Sequence, residues 1–62
     1  MKELEYLIKK LDEQRALIID DLGTGKAQDH AEYRFVCGVA QGLLRAKNLV
    51  IELNERITES DD

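Results

Sequence analysis

The stretch Asp20-Asp21-Leu22-Gly23-Thr24-Gly25-Lys26-Ala27 decides the fold, because it interrupts a chain whose remaining residues follow helical spacing. Glycine takes the left-handed conformation that ends a helix without a Cβ penalty, so two glycines after the last apolar residue are a stop signal. Thr24 or Asp29 is available to cap a following helix, and Asp29 and Glu32 would lie at its positive end. The stretch therefore predicts a tight turn between two helices.

The residues before this turn predict a first helix over about 2–22. The positions on one face of this helix are separated alternately by four and three residues, which is helical periodicity. These positions are Leu4, Ile8, Leu11, Arg15, Ile18 and Leu22. Only Arg15 interrupts the apolar stripe. We expect it to lie near Arg34 and to need an acid, either Glu32 or one from a partner chain.

The residues after the turn predict a longer second helix over about 27–58. Its seam repeats every seven residues, as in coiled coils. The seam comprises Val36, Val39, Leu43, Ala46, Val50, Leu53 and Ile57. An acidic tail, 59–62, follows and is expected to fray. The fold class is therefore all-α: one antiparallel helical-hairpin domain, 1–62, completed by oligomerisation or by docking on a partner.

The unequal helix lengths predict an uncovered end. If Leu22 lies opposite Ala27, residue i lies opposite residue 49 − i, and the second helix outruns the first. Large apolar residues would then remain in water, which predicts a partner interface at Leu49, Val50, Leu53 and Ile57. The alternative is that the second helix bends or frays earlier. Tyr33 and Arg34 are predicted as a second patch, since both residue types are enriched at interfaces.

The same register predicts close helix packing at three small residues, Gly38, Gly42 and Ala46. They lie four apart on one helix face, opposite large side chains such as Leu7 and Leu11. Small residues at such spacing let two helix backbones approach closely.

Composition excludes several other supports for so short a chain. The 62 residues include one Cys and one His, too few for an internal disulfide or a four-ligand zinc site. No apolar run approaches the ~20 residues of a membrane span, and the N-terminus is acidic where a signal peptide is basic. A soluble intracellular protein is expected. The net charge of −4 argues against nucleic-acid binding. Oligomerisation or a larger assembly is the remaining support.

No combination of side chains predicts an active site, so catalytic, cofactor-binding and metal-binding residues are all predicted to be absent. Gly23-Thr24-Gly25-Lys26 lacks the preceding strand and the following Ser or Thr of a phosphate loop. Cys37 is read as a small apolar residue, because His30 lies two helical turns away. His30 itself is read as a surface residue.

The second helix resembles small proteins of tailed bacteriophages with the pattern A-E-Y-x-x-x-x-G-x-x-x-G-L-x-x-A. The matching residues are Ala31-Glu32-Tyr33, Gly38, Gly42-Leu43 and Ala46, followed by an amphipathic helix and an acidic end. The resemblance covers about half of the chain, 29–62, and transfers no catalytic residue. It implies a virion structural or assembly protein that docks through its second helix on a capsid, portal or tail protein. The implied location is the virion, or otherwise the host cytoplasm.

Two alternative functions remain open. One is a small regulatory adaptor that binds a host or phage protein. The other follows from the layout, which is similar to the plasmid copy-number regulator Rop, a hairpin that dimerises into a four-helix bundle and binds RNA. The helices here are less equal in length and the basic face is weak, so this similarity favours a dimer more than RNA binding.

Overall fold

The computed structural model describes residues 1–25 and 27–60, and over these residues the chain is an antiparallel helical hairpin. Helix α1 is Lys2–Gly23 and helix α2 is His30–Ser60. The two helices pack against each other along their length, and the described residues include no strand. The predicted all-α class and the antiparallel helical hairpin are confirmed. Of the predicted tail, Glu59 and Ser60 belong to α2, whereas Asp61 and Asp62 lie outside the described residues, as does Lys26 of the turn.

Helix α1 ends as the glycines predict. The backbone amides of Thr24 and Gly25 donate to the carbonyls of Asp20 and Leu22, at 3.0 and 3.2 Å. Gly25 has a φ of +83°, the left-handed conformation in which a Cβ is costly. Gly23 is still part of the helix. Thr24 is not a cap of the second helix, because its hydroxyl donates back to the carbonyl of Asp21 at 3.1 Å.

Helix α2 begins three residues later than predicted because its cap is Asp29. The Asp29 carboxylate accepts the backbone amide of Glu32 at 2.8 Å. The Glu32 carboxylate in turn accepts the backbone amide of Gln28 at 3.0 Å. This reciprocal pair satisfies two amides that have no intrahelical partner at a helix start.

The facing stripe of α1 is the one that the spacing predicts. Leu4, Ile8, Leu11, Ile18 and Leu22 are each half-buried, while most other α1 residues are exposed. Arg15, also on the stripe, is half-buried, and its Nε is buried with no hydrogen-bond partner.

The stripe of α2 that faces α1 differs from the predicted seam. We call it the inner seam: Val36, Ala40, Leu43, Lys47, Val50, Asn54 and Ile57, all buried or half-buried. The inner seam keeps the seven-residue repeat, but Ala40, Lys47 and Asn54 take the places of Val39, Ala46 and Leu53. The buried face of α2 is therefore rotated about the helix axis by about half the angle between two successive residues. Ala40, at 7% exposed, is the only buried hydrophobic residue in the described part of the chain.

Two contacts between the helices show that the predicted register is wrong. The Lys47 ammonium lies 2.8 Å from the Asp12 carboxylate, and the Met1 amino group donates to the Asn54 side-chain oxygen at 2.8 Å. The predicted register would place residues 37 and 48 opposite Asp12 and Met1. Helix α1 therefore covers α2 six to ten residues further than predicted. Four residues of this shift in register follow from the helix boundaries, because α1 ends one residue later than predicted and α2 begins three residues later than predicted.

The observed register also changes which residues lie near Arg15, Gly38 and Gly42. Arg15 lies opposite about residue 42, roughly 12 Å along α2 from Arg34, so these two cations are not neighbours. Gly38 and Gly42 are exposed, and a Cβ added to either would meet no atom within 4 Å. The prediction that they pack closely against the first helix is therefore wrong. Ala46 is half-buried at the flank of the inner seam.

Candidate functional site

The most distinctive surface of the hairpin is a second apolar stripe on α2. We call it the outer stripe: Phe35, Val39, Gly42, Ala46, Leu49 and Leu53, which follow one another in steps of 4-3-4-3-4. Phe35 is 72% exposed, Leu49 67% and Leu53 49%. A soluble helix with one partner shows a single apolar stripe and polar residues elsewhere. Helix α2 carries two, and α1 covers only the inner one.

The outer stripe continues into a groove between the helices near the turn. The groove holds about 280 Å³ and is lined on the α2 side by Phe35, Val36 and Val39. Ile18 and Leu22 of α1 form its other wall, and Ala27 of the connection closes its end. The acids Asp21 and Glu32 also line it. The apolar lining of the groove is therefore continuous with the outer stripe, because Phe35 and Val39 belong to both.

The opposite face of the hairpin carries more charged side chains than the outer stripe does. It contains the ion pair between Lys47 and Asp12, and a groove on α1 lined by Asp12, Arg15 and Ile19 together with further charged residues. Asp12 is mostly exposed whereas the Lys47 side chain is 23% exposed, so the lysine stem lies along the helix interface while its charged end reaches solvent.

The predicted interface residues divide between the two stripes. Leu49 and Leu53 lie on the outer stripe and are exposed. Val50 and Ile57 lie on the inner seam and are half-buried. The prediction that all four project beyond the first helix is wrong, because α1 reaches the level of Asn54. Leu49 and Leu53 are exposed because of the direction in which they point, not because α1 ends too early.

Sequence reasoning missed the contribution of Phe35 and Val39 to this surface. The 4-3-4-3-4 spacing that starts at Phe35 is present in the sequence and was the available signal. It was hidden because Val39, Ala46 and Leu53 also complete a regular repeat with the inner-seam residues. Hydropathy alone does not show which of two adjacent stripes these residues belong to, because they fit the spacing of both.

Tyr33 and Arg34, predicted as a second patch, are both exposed but lie off the outer stripe. The Tyr33 ring stacks near His30, with ring centroids 6.5 Å apart. A hydrogen bond with the Cys37 side chain, and then the charge of that thiol when ionised, raise the pKa of Tyr33 above its ordinary value of 10.0. The three side chains form a small polar cluster at the start of α2.

Several basic side chains are engaged by acids within the chain. Lys10 lies 3.4 Å from Glu13, Arg56 lies 3.4 Å from Glu52, and Lys47 pairs with Asp12. Such pairing lowers the positive potential that a phosphate backbone would meet.

Within the described ranges, no three His, Cys, Asp or Glu side chains are grouped so that they could hold a metal ion. Cys37 is a free, half-buried thiol. Of the helices in residues 1–25 and 27–60, neither has a stretch long and apolar enough to cross a bilayer. Comparisons with protein-family models, with curated proteins and with solved structures give no match for this chain.

Proposed function

We propose that this chain is a non-enzymatic assembly protein that acts by protein–protein contact through the outer stripe of α2. The observation that carries the proposal is the unpartnered row of large apolar side chains on that stripe, above all Phe35, Leu49 and Leu53. Each large apolar side chain gains about 1.5–3 kcal/mol on full burial, so covering several half-exposed ones favours association. A contiguous apolar surface of this kind marks an interaction site.

The setting we propose is a bacteriophage particle. It rests on the resemblance of the second helix to small tailed-phage proteins. The protein would be a structural or assembly component of the virion, docking on a capsid, portal or tail protein. Helices bind helices or grooves through anchors at such heptad spacing, so the docking mode is a helix face laid against an apolar partner surface.

Incorporation into particles tests this proposal. The double variant Leu49→Asp, Leu53→Asp places two charges on the outer stripe, and because both residues point away from α1, the hairpin should remain helical by circular dichroism. We expect loss of the protein from purified particles, measured by mass spectrometry. The matched control is Ile19→Asp, which alters an exposed apolar residue on the opposite face and should leave incorporation unchanged.

Retention of the folded double variant in particles would contradict docking through this stripe. A wild-type protein that is abundant early in infection yet missing from particles would instead support the regulatory adaptor. RNA binding that weakens steeply with salt would support the Rop-like alternative.

A further inference from the structure

The hairpin is a single layer of helices and exposes more surface than a compact chain of its mass. Its extents are 51 × 16 × 11 Å, and its radius of gyration is 14.7 Å, against about 10.6 Å for a compact domain of this length. Its accessible surface is 5013 Å², whereas a compact monomer of this mass exposes about 4,100 Å². The excess of about 900 Å² is close to the ~800 Å² that each partner buries in a standard interface.

The outer stripe is self-complementary when it is paired with an antiparallel copy. Its 4-3-4-3-4 spacing reads the same in both directions, so a two-fold axis near residue 44 brings each member opposite another member. The resulting pairs are Phe35 with Leu53, Val39 with Leu49, and Gly42 with Ala46. Large residues meet at both ends, and the two smallest meet at the centre, where the helices cross most closely. Closed two-fold pairing of one patch with itself is the commonest form of homodimer.

We propose that the outer stripe is occupied by a second copy of this chain, with the two α2 helices antiparallel about an axis near residue 44. Two single-layer hairpins then form a two-layer, four-helix bundle, the arrangement in which helical domains bury an apolar core. Gly42 lies where the α2 helix of the copy approaches. Within one hairpin, a Cβ added to Gly42 would meet no atom within 4 Å, so the space beside it is open to the copy. The inference rests on the proposed function, since it names the partner of the same surface in the free protein. The copy and a particle protein then compete for the outer stripe, so that docking on a particle replaces the copy.

The mass of the purified protein in solution tests the dimer. Sedimentation equilibrium of the full chain should give about twice 7.1 kDa. Leu49→Glu should raise the dissociation constant by at least about 100-fold, because two-fold symmetry introduces each unfavourable charge twice. Val39→Glu is a second variant with the same expected effect, and Ile19→Glu on the opposite face should remain dimeric. Circular dichroism establishes that each variant is helical.

A wild-type protein that stays monomeric at about 100 μM would overturn the proposal, as would a helical Leu49→Glu variant that stays dimeric. Dissociation of the Ile19→Glu control would also overturn it, because the interface would then not be confined to the outer stripe.

The position of the axis has its own test, because it brings Arg45 near Arg45 of the copy. Mixing wild-type chains with Arg45→Glu chains then replaces like charges across the axis by opposite ones, which favours the heterodimer. Native mass spectrometry of an equimolar mixture should show heterodimer above the statistical one half. A heterodimer share at or below one half would rule out an axis near residue 44.

Failure of the dimer and failure of the proposed function give different results. A monomeric wild type whose stripe variants are lost from particles would reject the dimer and support docking on another protein. A dimeric wild type whose monomeric variants still enter particles would support the dimer and reject the docking role of the stripe.

Discussion

Lys47 and Asn54 explain why the buried face of α2 differs from its hydropathy pattern. Both are polar, yet both lie on the inner seam and are half-buried. Each has a partner across the hairpin: Asp12 of α1 for Lys47, and the amino group of Met1, which precedes α1, for Asn54. A polar group is tolerated at a helix interface when its hydrogen-bonding atoms are satisfied or reach solvent. Apolar Val39 and Leu53 are then left on the outer stripe.

Substitution of Lys47 separates the contribution of its stem from that of its charge. The Asp12 side chain is largely exposed, so Asp12→Ala should lower the free energy of unfolding by at most about 1 kcal/mol. Lys47→Met keeps the stem and should be close to neutral, whereas Lys47→Ala loses stem packing and should cost more than Asp12→Ala. Urea denaturation at one fixed protein concentration measures all three. Equal costs for Lys47→Ala and Asp12→Ala would show that the stem adds nothing.

Tyr33 provides a spectroscopic test of its contact with Cys37. In a Tyr6→Phe background only Tyr33 contributes phenolate absorbance, and its midpoint should lie above the ordinary pKa of 10.0. The raised pKa means that the folded state favours the neutral phenol. This stabilisation is present below the ordinary pKa and is lost as the pH rises through the folded-state pKa. Adding Cys37→Ala should move the midpoint back toward 10.0; an unchanged midpoint would exclude the thiol as the cause.

The boundaries of the two helices were predictable within three residues, because local signals set them. The glycines end α1, and the Asp29 carboxylate caps α2. The rotation of α2 about its own axis was not predictable from periodicity, since two heptad stripes share its surface. Which stripe faces α1 depends on cross-helix partners of Lys47 and Asn54, and these are properties of the pair rather than of one helix.

Two glycines in different backbone environments should respond in opposite ways to the same substitution. Gly38 is exposed within α2 and has open space around it, so Gly38→Ala should raise the free energy of unfolding by about 0.5–1 kcal/mol through helix propensity. Gly25 has a φ of +83°, so Gly25→Ala should lower it by about 1–2 kcal/mol. Thermal or urea denaturation measures both. A destabilising Gly38→Ala would indicate that something packs against Gly38.

The whole hairpin was predictable as a topology but not as a register. One interruption between two periodic segments is enough to specify an antiparallel pair of helices. The offset between them depends on where each helix ends, and an error of one residue in α1 and three in α2 shifts every cross-helix pair. The candidate surface was therefore found in part: Leu49 and Leu53 were predicted, but for the wrong reason, and Phe35 was not.

A single hairpin 11 Å thick has almost no interior of its own, and this affects how its sequence can change with time. Ala40 alone is enclosed among the described hydrophobic residues, so most positions accept many side chains without loss of the helical hairpin. Selection then acts mainly on the period and polarity of the two stripes and on the turn at Gly25. Divergent descendants of this chain are expected to retain the sequence spacing of the two stripes long after the individual residues at those positions have been replaced.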